Sequence, residues 1–253
     1  TLISMSNLAS TYRNQGRWKE AEDLEVQVIE VRKRVLGQEH PSTLTSMSNL
    51  ALTYWNQGRW KEAEELGVQV IEVRKRVLGQ EHPDTLISMS NLALTYWNPG
   101  RWKEAEELGV RVMEVRKRVL GQEHPDTLTS MSNLTLTYRN QGRWKEAEEL
   151  GVQVMEVRKR VLGQEHPDNL SNMHNLAHTY KVQGRIDEAI AMMSTTTTLH
   201  YRILGNDHPR TKNSVTTLRM WNRKLEGTRY GIVSLNDALG GFVPEFRQSL
   251  AWF

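Results

Sequence analysis

The sequence predicts an all-α fold: a solenoid of stacked helix–turn–helix repeats whose product is an extended surface. Three observations carry this expectation. A 42-residue unit occurs four times in near-identical copies and once more in a degenerate one. Residues 43–84 and 127–168 differ at three positions, 43–84 and 85–126 at four, and 1–42 and 43–84 at six, while 169–210 retain 17 of 42. Each unit also holds two stretches of apolar residues at helical spacing, divided by a glycine turn. A unit of this length cannot bury its apolar face alone, so stacked neighbours must supply the core.

Residues 43–84 serve as the reference unit. In its first half Leu44, Met47, Leu50, Ala51 and Tyr54 make one apolar helical stripe. Asn56-Gln57-Gly58 then supplies a tight turn, which becomes Asn98-Pro99-Gly100 in the third copy. The second half repeats the pattern with Trp60, Ala63, Leu66, Val70, Val73 and Val77. Glu62, Glu64 and Glu65 sit in its first turns and Arg74-Lys75-Arg76 in its last, a polarity that complements the helix dipole. Gly79 marks the stop, and Pro83 follows where a helix cannot continue.

Leu50-Ala51, Tyr54, Gly58, the aromatic at 60 and Ala63 match the tetratricopeptide (TPR) pattern in order and spacing. A standard TPR unit has about 34 residues, so the extra residues lengthen the second helix and the connector. The string NLALTYWNQGRWKEAEEL…VRKRVLGQEHPDTL resembles the 42-residue TPR variant of kinesin light chains. It is also similar to the repeat arrays at the C-terminal end of fungal NOD-like (STAND) receptors. The resemblance implies a right-handed α-solenoid over 1–226, with repeats 1–42, 43–84, 85–126, 127–168 and 169–210 and a capping helix at 211–226. Val215 and Leu218 are its expected apolar positions, and Arg219 replaces the usual alanine. A tail at 227–253 follows no repeat, and its end, VPEFRQSLAWF, reads as one short amphipathic helix able to fold back on the array. The start at Thr1, in repeat register and without an initiator Met, reads as a piece of a longer protein.

In such a stack the first helix of each pair lines the concave groove. With the stripe of 44, 47, 50, 51 and 54 turned to the core, Thr45, Asn49, Leu52, Trp55 and Asn56 fall on the opposite face. The copies diverge there, at Ile3, Thr45, Ile87 and Thr129 and at Arg13, Trp55, Trp97 and Arg139. Tuning for a ligand is one reading of this divergence and drift at exposed sites is the other. Variation also reaches Ala51/Thr135, Gln69/Arg111 and Ile71/Met113.

Asn7, Asn49, Asn91, Asn133 and Asn175 form a ladder at one repeat position. An amide donates and accepts at once, so it can pair with both N–H and C=O of an extended peptide. The kinesin-light-chain resemblance implies that these five lie in a peptide groove. The plainer alternative has them bonding to neighbouring helices to hold register. Arg13, Arg139 and Lys181 are expected to meet acidic side chains, while Trp55 and Trp97 offer stacking platforms, unless they pack against each other. The expected ligand is thus a protein or linear peptide, acidic or aromatic-acidic in character. The carboxylate clamp of chaperone-binding TPRs is missing, with Ser48 and Leu52 where it needs Lys and Asn.

Other features are assigned to scaffold. Trp18, Trp60, Trp102 and Trp144 start the second helices at the family's packing position and are expected in the core. Arg32-Lys33-Arg34 and its counterparts at 74–76, 116–118 and 158–160 suggest either a basic stripe for nucleic acid or anionic lipid, or dipole complementation with pairs such as Glu72 and Arg76. Acidic clusters balance that charge, leaving a net +3, so the second reading is preferred. Histidines 40, 82, 124, 166 and 208 each precede proline and are spread along the array, whereas a metal site needs convergent ligands. With no cysteine, no triad, no phosphate-cradling loop and no paired carboxylates, neither an enzyme nor a cofactor is expected. No apolar run reaches the roughly 20 residues of a membrane span. The sequence thus predicts a cytoplasmic, non-catalytic interaction module, with a ligand-sensing receptor array or a basic nucleic-acid surface as alternatives.

Overall fold

A computed structural model describes residues 1–238, and among these every regular element is a helix. They form two compact units, divided after Gln164. The first holds four antiparallel pairs: α1 (Leu2–Asn14) with α2 (Trp18–Leu36), α3 (Pro41–Asn56) with α4 (Trp60–Val77), α5 (Pro83–Trp97) with α6 (Trp102–Leu120), and α7 (Pro125–Asn140) with α8 (Trp144–Leu162). The second holds α9 (Pro167–Val182), α10 (Ile186–Leu204) and α11 (Pro209–Ala238). Successive helices pack in order within each unit, the arrangement of a TPR α-solenoid.

The Gln-Glu-His-Pro connector explains how each first helix starts. Proline takes N1, where its fixed φ suits a helix and its missing N–H costs nothing. The histidine before it is the N-cap, with His82 Nδ1 accepting the Asp84 N–H at 3.2 Å. His40, His124, His166 and His208 repeat the bond at 3.1–3.2 Å. Replacing His82 with Ala should therefore cost about 1 kcal/mol, and Asn should recover most of it. Denaturant unfolding checks this; equal loss for Ala and Asn would remove the cap from the account.

The second helices start differently, since Arg59 at the N-cap makes no side-chain cap bond. Its guanidinium lies 4.1 Å from the Tyr54 ring centroid and its Nε donates to Glu62 at 2.7 Å. The turn between helices needs Gly58 at φ 78°, a left-handed conformation that side chains resist. Trp60 stands over this glycine, with Cζ2 3.6 Å from the place a Cβ would occupy. The repeated tryptophans are accordingly half-buried covers of the turn rather than core residues, and Trp18 is exposed.

No repeat owns its core. Ile29 of α2 joins Leu44, Met47 and Leu50 of α3 and Val70 of α4, and Ile71 of α4 joins Leu86, Met89, Leu92 and Tyr96 of α5 and Val112 of α6. Each cluster draws on the preceding second helix, so stability in such an array is a sum over neighbours. Packing between two second helices also requires a second buried face on each first helix. Small polar residues supply it: Thr43, Ser46 and Thr53 are at most 3% exposed. Ser46 Oγ donates to the Ser42 carbonyl at 3.1 Å, satisfying itself within its own helix. Reading a single apolar stripe misses this face.

Polar links join consecutive pairs. Arg59 donates to Glu22 at 2.9 Å and Arg143 to Glu106 at 2.6 Å, while Gln57 and Gln141 donate to the Trp18 and Trp102 carbonyls at 3.2 and 3.1 Å. Pro99 stands where the third copy would carry that glutamine, and Arg101 there holds both oxygens of Glu64 at 2.8 Å.

In the second unit Ala177, Tyr180, Ala189, Met193 and Trp221 form the core. The expected capping helix over 211–226 is α11, which runs further, to Ala238. Over residues 209–223 its buried positions are Thr211, Ser214, Thr217 and Trp221, with Val215 and Leu218 half-buried and Arg219 exposed. The short helix expected at 243–253, and any docking by it, lies outside the described residues.

Candidate functional site

The first helices of the first unit carry the candidate surface. On it Ile3, Thr45, Ile87 and Thr129 are exposed, with Ile3 at 68% and Ile87 at 46%. Thr45 Oγ1 donates to the Pro41 carbonyl at 2.9 Å and accepts from Arg74 at 3.2 Å, so part of its capacity is already used.

One helical turn on lies the asparagine ladder. Asn7 is exposed, while Asn49, Asn91 and Asn133 are half-buried. Main-chain oxygens at these positions accept from Thr11, Thr53, Thr95 and Thr137. Their side-chain amides make no hydrogen bond to the described residues, so they do not serve as register pins between helices. Asn175, half-buried in the second unit, sits at the same repeat position.

Asn91 and Asn133 each line a small cleft between consecutive first helices. Leu52, Gly67 and Leu92 border the first cleft, and Trp97, Gly109 and Leu134 the second, each with a cavity of about 20 Å³. The mid-helix glycines form the floors, a role that stretches of strong helix formers interrupted by glycine hint at but do not locate. A Cβ on Gly67 would meet only Leu92 Cδ1, at 3.6 Å, and one on Gly109 only Leu134 Cδ1, at 3.7 Å. Gly67→Ala and Gly109→Ala should each stabilise the array by about 0.5–1 kcal/mol, since alanine fits and is the better helix former. Thermal unfolding tests this; destabilisation would mean the backbone needs the glycine.

The variable basic and aromatic position is less open than the sequence implies. Arg13 Nη1 pairs with the buried Glu25 at 3.1 Å and donates to the Asn49 carbonyl at 3.2 Å. Trp97 packs on the α5–α6 core and its Nε1 donates to Thr137 Oγ1 at 3.1 Å. Trp55 stacks edge-on against Trp60 at 6.0 Å, and its buried Nε1 has no partner. Burial pushes the Arg139 guanidinium pKa down. Lys181, in the second unit, lies over the Trp221 ring at 4.4 Å. The residue one helix away changes as well: Glu25 opposite Arg13 is replaced by Gly67 and Gly109 beside the tryptophans and by Gly151 beside Arg139. A charge pair in the first repeat thus gives way to a large residue beside a glycine, as Trp97 and Gly109 at the same cleft show.

The Arg-Lys-Arg triplets divide by position. The first arginine is a buried strut: Arg74, 4% exposed, donates to the Asp84 carbonyl at 3.0 Å, Ser88 Oγ at 2.6 Å and Thr45 Oγ1 at 3.2 Å. Arg116 binds the Asp126 carbonyl and Ser130 the same way, at 3.2 and 2.8 Å. The third arginine pairs with the preceding connector, Arg160 with Glu123 at 2.6 Å, and Arg76 and Arg118 likewise with Glu39 and Glu81. With first arginines such as Arg74 and Arg116 buried and Arg76, Arg118 and Arg160 paired, the stripe offers a phosphate backbone chiefly its middle lysines.

Among the described residues no cluster of histidine and carboxylate side chains could hold a metal ion, and no helix is long and apolar enough to cross a membrane.

The tetratricopeptide repeat family model matches residues 1–76, 49–117, 84–160 and 136–199. Among solved structures, a chain from Podosopora anserina, described as a kinesin light chain with nearly identical TPR-like repeats, is similar at 35% identity and TM-score 0.69, covering 79% of this chain and 95% of that one. A variant of that Podosopora anserina chain gives 35% identity and TM-score 0.70 over the same shares. BtubC (BKLC) from P. vanneervenii shares the fold at 22% identity and TM-score 0.69, covering 81% of each chain. No curated protein matches the sequence.

Proposed function

The chain belongs to the tetratricopeptide repeat family, a class of protein–protein interaction module, and from that premise we propose that it captures an extended peptide segment along its first helices. One observation carries the proposal: half-buried amides of Asn49, Asn91 and Asn133 repeat at a fixed interval with their hydrogen bonds unspent. These amides stay open to water, and a peptide main chain supplies both the N–H and the C=O that an amide can pair with in its place. This is β-strand-like capture by side chains instead of by a sheet edge. The small clefts beside Asn91 and Asn133 have room for a methyl-sized group of the same segment.

Ligand selection falls to the exposed and aromatic positions. Thr45, Ile87 and Thr129 vary on the surface. Arg13 is held by Glu25, so it would reach an acidic ligand only by giving up that pair. An acidic or aromatic-acidic ligand on the first unit would be met by Trp55, Trp97 and Arg139. The scaffold is read as non-catalytic.

Selection of binders from a displayed peptide library, followed by Asn49→Ala/Asn91→Ala/Asn133→Ala, tests the reading. Affinity should fall by at least tenfold, about 1.4 kcal/mol, with the melting temperature unchanged. Unaltered affinity for a selected peptide would sink it. A sensor array within a larger switch protein would use the same surface.

A further inference from the structure

The fifth repeat departs from the others at the buried arginine strut. His200 stands at the position of Arg74 and Arg116, and Arg210 at that of Asp84 and Asp126. The acceptors of the strut are kept, since Arg210 still has a carbonyl and Ser214 and Ser171 stand where Ser88 and Thr45 do. The shorter imidazole reaches only Ser214 Oγ on α11, at 3.2 Å. A cavity of about 160 Å³ between α9, α10 and α11 takes the space an arginine would fill.

Hydrogen-bond geometry fixes the state of His200. Ser214 Oγ has one hydrogen, which goes to the Arg210 or Thr211 carbonyl at 3.0 or 3.1 Å. The hydroxyl therefore accepts from the imidazole, placing the ring hydrogen on Nδ1. His200 is 3% exposed, and its Nε2 is buried without a partner. A second proton, on Nε2, would make a charged N–H with no acceptor, in a place water does not reach. The groups around the ring offer it no relief. His174 of α9, His208 of the connector and Arg210 of α11 all act against its protonation. Farther along α9, His178 and Lys181 face Trp221 of α11, at 5.0 and 4.4 Å from its ring. Of the carboxylates, Asp187 and Glu188 lie in the first turn of α10, Asp168 in that of α9, and Asp207 is tied to Lys212 at 3.1 Å.

We propose that the joint between α10 and α11 is a proton-operated latch: neutral His200 holds α11 in place, and proton uptake on acidification releases it. Opening would take Trp221 from its cluster with Ala177, Tyr180 and Met193. Burial first, then the neighbouring cations, push the folded imidazole pKa down. A histidine depressed in this way contributes fully above its unfolded pKa, and the contribution is lost as pH falls towards the folded one. The struts of the other repeats are arginines, which keep their charge throughout. The latch is separate from peptide capture, which uses the first unit.

The test is hydrogen–deuterium exchange of the full chain at about pH 7.5 and about pH 5.5, corrected for the intrinsic pH dependence of exchange. His208 caps α11 as His82 caps α5, so α5 is the internal reference for protonation of the caps. Opening of α11 over residues 211–221, relative to α5, should rise about tenfold on acidification, the proton uptake of a histidine about one unit below its ordinary pKa. His200→Arg, with the acceptors of the strut in place, should abolish the rise. His200→Gln, which keeps an N–H for Ser214 but does not titrate, should do the same if the arginine variant folds poorly. An α11 that opens no more than α5 on acidification in the unaltered chain, or a rise that survives in a folded variant, would overturn the proposal.

Discussion

Arg13→Ala is expected to destabilise the first repeat by about 3–5 kcal/mol at neutral pH, the cost of stranding a buried charge. Its partner Glu25 has a side chain only 4% exposed and accepts from Arg13 at 3.1 Å and from Thr53 Oγ1 at 2.6 Å. Removing the guanidinium leaves the carboxylate with the hydroxyl alone. Burial already holds the Glu25 pKa above its ordinary value, against the pull of Thr53 and Arg13. For a raised carboxyl, the contribution to stability is fully present below the unfolded pKa and lost as pH rises through the folded one. Loss of Arg13 raises the folded pKa further, so the deficit of the variant should shrink on acidification. Denaturant unfolding at neutral and acidic pH reads this directly, and an equal deficit at both would rule out charge as its origin. The double change Arg13→Trp/Glu25→Gly, which installs the pair of the second and third copies, should recover most of the loss. Thr53 then still has the Asn49 carbonyl at 3.3 Å.

Arg74→Ala should cost about 2–4 kcal/mol, from lost charge-assisted hydrogen bonds and the cavity left behind. This guanidinium joins α4 to both flanking first helices through Thr45, Asp84 and Ser88. Desolvation lowers its pKa, but a guanidinium is not deprotonated in proteins, so the effect should not vary with pH across the physiological range. Arg74→Met retains much of the volume and should lose less. Lys75→Ala, one residue on, should stay within about 0.5 kcal/mol, as surface substitutions do. Similar losses at 74 and 75 in chemical denaturation would return the triplet to a simple surface stripe.

These two residues show what the sequence made legible and what it did not. Near-identity of the copies exposes the helices, turns and stops, because a repeated stripe and a repeated glycine average out local noise. The stripe of Leu44, Met47 and Leu50 is core, and Gly58 is the turn. What distance along the chain hides is pairing: Arg13 and Glu25 lie on different helices, and nothing local marks them as one unit. Composition hides burial in the same way, since Arg74 and Lys75 look alike until one is covered by the next repeat. Thr43, Ser46 and Thr53 escaped because a sandwiched helix needs two packed faces, and small hydroxyls are not apolar. The asparagine ladder was visible as a pattern; that the amides of Asn49, Asn91 and Asn133 make no bond to neighbouring helices follows only from the packing around them.

The most direct test of the central claim is hydrogen–deuterium exchange of the chain with and without a selected peptide. Peptide capture along the first helices predicts protection concentrated in α3, α5 and α7, lost in the triple asparagine variant. Protection confined to the second helices α4, α6 and α8, or unchanged by that variant, would contradict it.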